Sequence, residues 1–412
     1  MVAGGHAHFA FTFIASFSAA IWVYLFFWRG AFWRPRKFDG DANNIPLPAK
    51  LPHIQVIIPA RNEAPAIGVT ISALLQQDYP GPLRIAVVDD HSSDGTAEVA
   101  RAAAASSRRE EPVTILSAPA LAPGWTGKLW ALQHGISATS LAAGAANEAL
   151  AARALNTLPD FYWFTDADIA HAPDTLRRLI ARAEHDRLDL VSLMVLLRSR
   201  TFPEKFLIPP FLYFFLQLYP PLWIADTKSR TAGAAGGCLL IRRERLERIG
   251  GLLAIRDAVI DDCALARAVK SSGGRTWMGV TRASVSLRDY RHFAEIRDMI
   301  ARTAFTQLRY SAGVLFFAVA GLLLTYIAPV LVAIVERGWP RALGALAWLM
   351  MSLTFLPVVR YYRLSPAWAV SLPAAAVFYT YATLLSAVRF WLGRGGQWKG
   401  RTQAPSSTHA SV

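Results

Sequence analysis

The sequence predicts an α/β domain with a mostly parallel sheet, flanked by apolar segments that can cross a membrane. Three observations predict this fold class. Long uncharged apolar runs occupy both ends of the chain, and short β-branched runs alternate with helical stretches between residues 50 and 310. Of the 412 residues 53% are hydrophobic and 17% are charged, so the chain can bury enough apolar surface to fold.

Residues 1–37 predict an N-terminal transmembrane anchor with a basic flank. Ala7–Trp28 is an uncharged apolar run, and a helix of that length can cross a bilayer core of about 30 Å. No Lys or Arg precedes the run, which argues against a cleaved signal peptide. Four basic residues follow it between Arg29 and Lys37, so the positive-inside rule predicts that this flank is cytoplasmic.

Residues 312–391 predict three further transmembrane segments, at Ala312–Val335, Leu343–Val359 and Ala367–Val388. A cytoplasmic central domain followed by three crossings would export the basic tail, 392–412, which we expect to be disordered. The positive-inside rule keeps such a tail in the cytoplasm. The short Leu343–Val359 or the proline-containing last segment is therefore a candidate re-entrant or interfacial helix, and the number of crossings stays open.

A further apolar stretch, Phe206–Ala225, lies inside the central region. Two Pro-Pro pairs interrupt it, so it is a poor candidate for a spanning helix. Basic residues precede it, and together these features predict a helix that lies in the membrane interface. A buried core helix is the alternative.

Carboxylates follow two predicted strands of the central domain. Leu83–Val88 is followed by Asp89-Asp90, and Phe161–Thr165 is followed by Asp166-Ala167-Asp168. Ligands of open α/β sheets bind beyond the carboxyl ends of the strands. An Asp-x-Asp pair at such an end offers two hard oxygen donors, which suit Mg²⁺ or Mn²⁺ bridging a diphosphate. Asp261-Asp262 opens a predicted helix, where the carboxylates either complement the helix dipole or supply a general base.

The formal net charge of +14 first admits a nucleic-acid binder. The basic residues cluster beside the apolar segments, however, and no RNP, zinc-finger or helix-turn-helix pattern is present. We therefore expect no nucleic-acid partner, and we interpret the basic groups as contacts with anionic lipids of a bilayer. Two cysteines are too few for a disulfide framework.

Five motifs carry a family resemblance over residues 50–310: Ile57–Glu63, Val87–Thr96, Gly127-Lys128, Thr165–Asp168 and Asp261-Asp262. In their order and spacing they resemble the family 2 glycosyltransferases of the GT-A fold. The segments 123–128 and 302–311, with the membrane segments, are similar to the hopanoid-biosynthesis-associated (hopene-associated) glycosyltransferases. The resemblance therefore implies a Rossmann-like GT-A domain between transmembrane helices.

The resemblance also implies a role for each matching residue. Residues that would bind the nucleotide of a UDP-sugar are Pro59, Glu63, Asp89, Asp90, Lys128 and Asp166. Asp168 would be the principal ligand of Mg²⁺ or Mn²⁺, with Asp166 beside it. Asp262 would be the catalytic base, and Arg309 would stabilise the departing diphosphate. Residues on the acceptor side would be Gly236, Gly237, Asp261, Tyr310 and Trp125.

These implications predict a membrane-bound inverting glycosyltransferase. It would move a sugar from a nucleotide sugar to a lipid hydroxyl, of a hopanoid or a related lipid, at the inner membrane of a bacterium with its catalytic domain in the cytoplasm. Two alternatives stay open at this point. The acceptor could be a polyprenyl phosphate, or the protein could be a non-catalytic membrane scaffold with a degenerate transferase domain.

Overall fold

The computed structural model describes residues 2–41, 45–106, 113–144, 158–394, 397–398 and 401–402. Its strands are β1 Ile54–Ala60, β2 Leu83–Asp89, β3 Val113–Ser117, β4 Phe161–Thr165, β5 Ile169–His171, β6 Leu190–Leu196, β7 Cys238–Arg242, β8 Thr276–Ser286, β9 Gln397–Trp398 and β10 Arg401–Thr402. Its α-helices are α1 Val2–Phe27, α2 Phe38–Asp41, α3 Ala64–Leu75, α4 Thr96–Ala105, α5 Gly127–Gly144, α6 Thr175–His185, α7 Phe202–Leu218, α8 Pro221–Ala225, α9 Arg243–Arg248, α10 Asp261–Ser271, α11 Phe293–Ala301, α12 Ala304–Gln307, α13 Ala312–Leu322, α14 Ala328–Val335, α15 Gly338–Tyr361 and α16 Leu372–Trp391.

The chain divides into two units. The α/β unit comprises Arg36–Leu197, Trp223–Arg288 and Gln397–Val412. The helical unit comprises Met1–Pro35, Arg198–Leu222 and Asp289–Gly396. Residues 198–222 and 289–310, which the sequence analysis placed in the transferase domain, thus belong to the helical unit.

The sheet of the α/β unit has the strand order β3-β2-β1-β4-β7-β6-β8-β5 within the described residues. Strands β3, β2, β1 and β4 are parallel neighbours, as are β6 and β8. Strand β7 runs antiparallel to both β4 and β6, and β5 runs antiparallel to β8. The expected α/β class is confirmed, and the sheet, predicted to be mostly parallel, is parallel from β3 to β4 and mixed beyond β4.

Both faces of the sheet are covered, which explains why its central strands are almost entirely apolar. Every residue of β1 and β4 is buried. Val56 and Ile58 pack into one core layer while Ile57 packs into the other, because successive side chains of a strand point to opposite faces. Helix α3 covers the first layer with Ile67 and Leu74, among other side chains at helical spacing.

The described residues of the helical unit include four stretches that are long and apolar enough to cross a membrane: Phe9–Phe27, Ala312–Val335, Gly338–Tyr361 and Pro366–Trp391. The third is a 24-residue helix, longer than the predicted Leu343–Val359, so its length does not single it out as re-entrant. Most of the 392–412 tail, and most of an alanine-rich stretch at 138–155, lie outside the described residues.

Helix α7 differs from the expectation for Phe206–Ala225. It continues through Pro209-Pro210 instead of breaking there, and ends before the second proline pair. Within the helical unit the Tyr379 hydroxyl donates to the carbonyl of Leu207 at 2.9 Å, close to the carbonyls that the prolines leave without N–H donors. Tyr213 is buried in the same helix and hydrogen-bonds to Thr354 at 2.8 Å. These contacts favour the buried-helix alternative, and an interfacial position stays a prediction.

Candidate active site

The Asp166-Ala167-Asp168 turn follows β4 and is supported by a series of buried, hydrogen-bonded side chains. The hydroxyl of Thr165 donates to the carbonyl of Gly237 at 3.0 Å and hydrogen-bonds to His171 Nε2 at 2.8 Å. The other ring nitrogen, Nδ1, hydrogen-bonds to Ser284 Oγ at 2.8 Å. Burial lowers the pKa of His171 to about 3, so the ring is neutral and serves as a hydrogen-bonding strut below the turn.

Lys128 is the central cation of a carboxylate cluster. It is the second residue of α5, and its Nζ lies 2.9 Å from Asp166 Oδ1 and 3.4 Å from Asp261 Oδ2. Burial acts to lower the pKa of Lys128, but the charges of Asp166, Asp261 and Asp262 outweigh it and raise the pKa above the usual value. Lys128 therefore stays positively charged. Its ion pairs link Asp166, at the end of β4, to Asp261, in the first turn of α10.

Asp262 is held rigidly in that first turn. Its Oδ2 accepts the N–H of Gly236 at 2.8 Å, and its Oδ1 accepts the N–H of Cys263 at 2.7 Å. Burial, followed by the charge of Asp261, raises the pKa of Asp262 to about 6, although Lys128 and the two N–H groups act in the opposite direction. A fixed carboxylate whose pKa lies this close to neutrality is suited to accept a proton.

Arg288 joins two predicted site residues that belong to different loops. Its Nε donates to Asp168 Oδ2 at 3.1 Å, and its Nη2 donates to Glu63 Oε1 at 3.0 Å. Glu63 lies between β1 and α3, and Asp168 lies between β4 and β5. Arg288 is the last residue of its stretch of the α/β unit and was not among the predicted site residues.

The loops after β1 and β2 are held against one another. The Asp90 N–H donates to Ala60 O at 2.8 Å, and Arg61 Nη1 donates to the Asp90 carbonyl at 2.5 Å. Asn62 and His91 adopt left-handed backbone conformations with φ of 51° and 54°. Strained residues of this kind concentrate at binding and catalytic sites.

Asp89, at the end of β2, has a buried carboxylate oxygen without an intramolecular partner. Its Oδ2 accepts the N–H of Ser92 at 3.4 Å, whereas Oδ1 has no hydrogen-bond partner in the described part of the chain. A buried acceptor left unpaired costs about 1–3 kcal/mol. A ligand hydroxyl or N–H that reached Asp89 Oδ1 would remove that cost.

A cavity adjoins the Lys128 cluster. Its lining combines apolar side chains such as Leu129, Leu252 and Leu265 with six of the predicted site residues, which are Pro59, Lys128, Asp166, Gly236, Asp261 and Asp262. The structure thus brings the first strand end, the Asp-x-Asp turn and the start of α10 to one place.

Gly236 and Gly237 lie where larger residues would collide. A Cβ on Gly236 would approach Lys128 Nζ to 3.0 Å and Asp262 Oδ2 to 3.4 Å. A Cβ on Gly237 would approach Val195 Cγ2 to 3.2 Å. Trp125 packs partly against the core, with its ring 5.3 Å from that of Trp130, so packing accounts for its position.

Arg309 and Tyr310 belong to the helical unit. Both have left-handed backbone conformations, with φ of 54° and 56°, and two consecutive non-glycine residues of this kind are costly. The ring of Tyr310 stacks on Phe390 at 4.4 Å, and its hydroxyl accepts a hydrogen bond from Thr306 at 3.0 Å. The turn that carries Arg309 is therefore fixed by packing within the helical unit.

Comparison with known proteins decides the family. The family model for glycosyltransferase-like family 2 matches residues 52–306, more than half of the chain. The chain belongs to this family. The enzyme interpretation is therefore confirmed, and the protein is a glycosyltransferase with the GT-A fold.

Two individual relatives are informative about how far the likeness extends. Over 60 residues the glycosyltransferase is 47% identical to an N-acetylglucosaminyltransferase of Neorhizobium galegae, a match that covers 14% of this chain and 12% of that relative. Its fold is similar to mannosyltransferase PcManGT from Pyrobaculum calidifontis, solved in complex with GDP-Man and Mn²⁺. That likeness covers 89% of this chain and 99% of the other, with a TM-score of 0.53 and 20% identity.

A more distant likeness is to mannosyl-3-phosphoglycerate synthase from Rubrobacter xylanophilus, with a TM-score of 0.40 and 18% identity. It covers 68% of this chain and 82% of that chain.

The donor set of the glycosyltransferase fits a divalent cation that a substrate helps to bind. No group of three or more His, Cys, Asp or Glu side chains placed to hold a metal occurs in the described residues. Mg²⁺, however, usually binds through one or two carboxylates together with substrate phosphates and water. Asp166 and Asp168 supply two such carboxylates. The site also includes the carboxylates of Glu63, Asp261 and Asp262, against the cations Lys128 and Arg288, so an added cation would reduce its negative charge.

Proposed function

We propose that this glycosyltransferase is a membrane-bound inverting enzyme that transfers a sugar from a UDP-sugar to the hydroxyl of a lipid. The observation that carries the proposal is the geometry of Asp262. Two backbone N–H groups fix this carboxylate beside a cavity, next to a lysine that is itself paired with the Asp-x-Asp turn. Such an arrangement suits a base that receives the proton of an incoming hydroxyl.

The nucleotide part of the donor is assigned to the loops after β1 and β2. The unpaired oxygen of Asp89 supports this assignment, because a nucleobase N–H or a ribose hydroxyl would satisfy it. Asp90 and Glu63 belong to the same pair of loops, and Pro59 lies at the end of β1. The GDP-Man in PcManGT is consistent with a nucleotide sugar in general, while the family resemblance favours uracil as the base.

Asp168 and Asp166 would hold Mg²⁺ or Mn²⁺ together with the diphosphate of the donor. When bound, that ion supplies positive charge next to the leaving diphosphate. Lys128, which lies 2.9 Å from Asp166, supplies a second positive charge from the chain itself. Such fixed charges stabilise a transition state most where water is excluded.

The transfer step follows from these roles. The acceptor hydroxyl gives its proton to Asp262, and its oxygen forms a bond to the anomeric carbon of the sugar. The bond from that carbon to the diphosphate breaks, and its electron pair leaves with the nucleoside diphosphate. Arg309 is proposed to offset the charge on that product. Direct displacement of this kind inverts the configuration at the anomeric carbon.

A lipid acceptor is supported by the apolar helices and by the residues they leave exposed. Phe9, Phe316 and Trp339 are among the exposed large apolar side chains of the helical unit, as expected of surfaces in contact with lipid. We propose the inner membrane of a bacterium as the location, with the α/β unit in the cytoplasm. Gly236, Gly237, Asp261 and Tyr310 are proposed to form the acceptor side, and a hopanoid or related lipid is the proposed acceptor.

The proposal is tested by incubating membranes that contain the full chain with a panel of labelled nucleotide sugars and total bacterial lipid extract. Mass spectrometry of the products then identifies both sugar and acceptor. We expect transfer from a UDP-sugar to a neutral lipid, with a product stable to mild acid. An acid-labile product would instead identify polyprenyl phosphate as the acceptor.

Two variants make the test specific for the mechanism. Asp262→Asn is expected to lower the rate by about 10²–10⁴, the usual contribution of general base catalysis. Asp174→Asn is the matched control, because Asp174 also lies at the start of a helix of the α/β unit but pairs only with Arg178 in the contacts described. Unchanged transfer by Asp262→Asn would refute the assignment of the base.

A further inference from the structure

Arg288 is paired with Asp168, the carboxylate that is proposed to bind the metal. Its guanidinium forms one hydrogen-bonded ion pair with Asp168 at 3.1 Å and another with Glu63 at 3.0 Å. The position is fixed by the backbone: the Leu287 N–H donates to the Asp168 carbonyl at 2.7 Å, directly beyond the pairing of Ile169 with Ser286. The position of Arg288 beside Asp168 is thus set by the register of β5 and β8 and is not a chance surface contact.

A guanidinium and a divalent cation are competitors at one carboxylate. Both are attracted to Asp168, and two positive charges within a few ångströms repel each other strongly when partly buried. The side chains of Asp168 and Glu63 are 13% and 15% exposed, so water screens this repulsion only in part. Binding of a metal at Asp168 therefore weakens the hold of Asp168 on Arg288.

Arg288 cannot respond by losing its proton, because an arginine side chain stays charged in proteins. Once a metal has taken Asp168, Arg288 keeps its ion pair with Glu63 at 3.0 Å, and its Nε can turn to another anion. The planar fork of a guanidinium matches phosphate oxygens, and the proposed donor brings a diphosphate to the same turn. The Arg288 side chain is 35% exposed, so it can turn without disturbing the packing of the core.

We propose that Arg288 is an exchangeable cation of the donor site: it neutralises Asp168 and Glu63 before the donor arrives, and it passes to the diphosphate when a divalent metal binds Asp168. This inference rests on the proposed function, since it takes the diphosphate from the nucleotide sugar. It assigns to Arg288 a donor-binding role.

The test measures metal and nucleotide binding separately on the purified full chain in detergent. Mn²⁺ binding without nucleotide is followed by electron paramagnetic resonance, and UDP and GDP binding with Mn²⁺ is followed by calorimetry. Arg288→Met is expected to bind Mn²⁺ alone about 10-fold more tightly, because a competing cation is gone. The same variant is expected to bind the preferred nucleotide about 10- to 100-fold more weakly, as loss of a charged hydrogen bond predicts.

Two further variants separate exchange from a merely structural role. Arg288→Lys keeps the charge but not the fork, so it is expected to restore weak Mn²⁺ binding and only part of the nucleotide affinity. Arg282→Met removes an arginine from the same strand and is expected to change neither affinity. Weaker binding of both Mn²⁺ and nucleotide by Arg288→Met would show a structural clamp and overturn the proposal, as would unchanged binding of both. If the wild-type chain binds neither UDP nor GDP, the proposed function itself fails.

Discussion

Replacing Asp261 by asparagine is expected to shift the acidic limb of the pH profile of kcat/KM to lower pH. Replacing Lys128 by methionine is expected to shift the same limb to higher pH. A general base must be ionised, so kcat/KM of the wild type should fall as the pH drops through the pKa of Asp262, about 6. The charge of Asp261 raises this pKa, and the charge of Lys128 lowers it. Removing each charge therefore moves the limb in opposite directions.

The size of the two shifts can be estimated from Coulomb's law. Two unit charges separated by about 4–8 Å interact by roughly 2–4 kcal/mol at an effective dielectric constant of about 20, which corresponds to about two pKa units. Lys128 lies 3.4 Å from Asp261 and compensates part of its charge, so we expect a shift of about one pKa unit in each variant. At pH 5.5 the Asp261→Asn enzyme should then retain about three times the wild-type fraction of its plateau activity.

The assay measures transfer of labelled sugar by membranes between pH 4.5 and 8.5, with the Asp174→Asn variant as the control for general effects of losing a carboxylate. A limb that moves in the same direction in both variants, or that stays in place, would refute the electrostatic account of Asp262.

The raised pKa of Asp262 also makes the stability of the folded chain depend on pH. Because the folded chain holds this proton more tightly than the unfolded chain, its contribution to the free energy of unfolding falls as the pH rises from about 4 to 6.

Three other outcomes are expected. Gly236→Ala should lower kcat/KM by about 10- to 100-fold, because the added methyl group comes within 3.0 Å of Lys128 Nζ and crowds the cation that is paired with Asp166 and Asp261; steady-state kinetics measures the effect. Chelation of divalent cations should abolish transfer, and Mn²⁺ or Mg²⁺ should restore it in the same sample. Tyr326→Phe removes a 2.6 Å hydrogen bond to Gln217 in the helical unit and should lower the free energy of unfolding in detergent by about 0.6–1.7 kcal/mol. Tyr24→Phe, at an exposed position, should leave the free energy of unfolding unchanged.

The central strands could be predicted from sequence because their signal is local. The runs at 56–58 and 161–164 are apolar without interruption, as expected of strands covered on both faces, and the structure places strands there. The pairing of β7 between β4 and β6 could not be predicted, because antiparallel insertion depends on contacts between residues far apart in the chain. The continuity of α7 through Pro209-Pro210 was missed for a similar reason, since packing against neighbouring helices compensates the two lost N–H groups.

The site shows the same division. Asp166, Asp168 and Asp262 could be identified because carboxylates at a strand end or in a first helical turn are conspicuous in sequence. Arg288 gave no such signal, because it is one of several basic residues before the last apolar segments. Its significance comes from the pairing of β5 with β8, which carries it to Asp168 from a position 120 residues later in the chain. The pairing of Lys128 with both Asp166 and Asp261 likewise required the three-dimensional structure.

The hydrogen-bonded side chains of Thr165, His171 and Ser284, below the Asp-x-Asp turn, affect how pH data on this enzyme are interpreted. A titration near pH 6 is ordinarily attributed to histidine, whose unperturbed pKa lies in that range. His171 lies directly under the turn, yet burial keeps it uncharged down to about pH 3. It therefore transmits no change of charge to Asp166 or Asp168 when the pH falls from neutrality to about 4. A titration of the enzyme near pH 6 is therefore expected to report the carboxyl group of Asp262 and not His171.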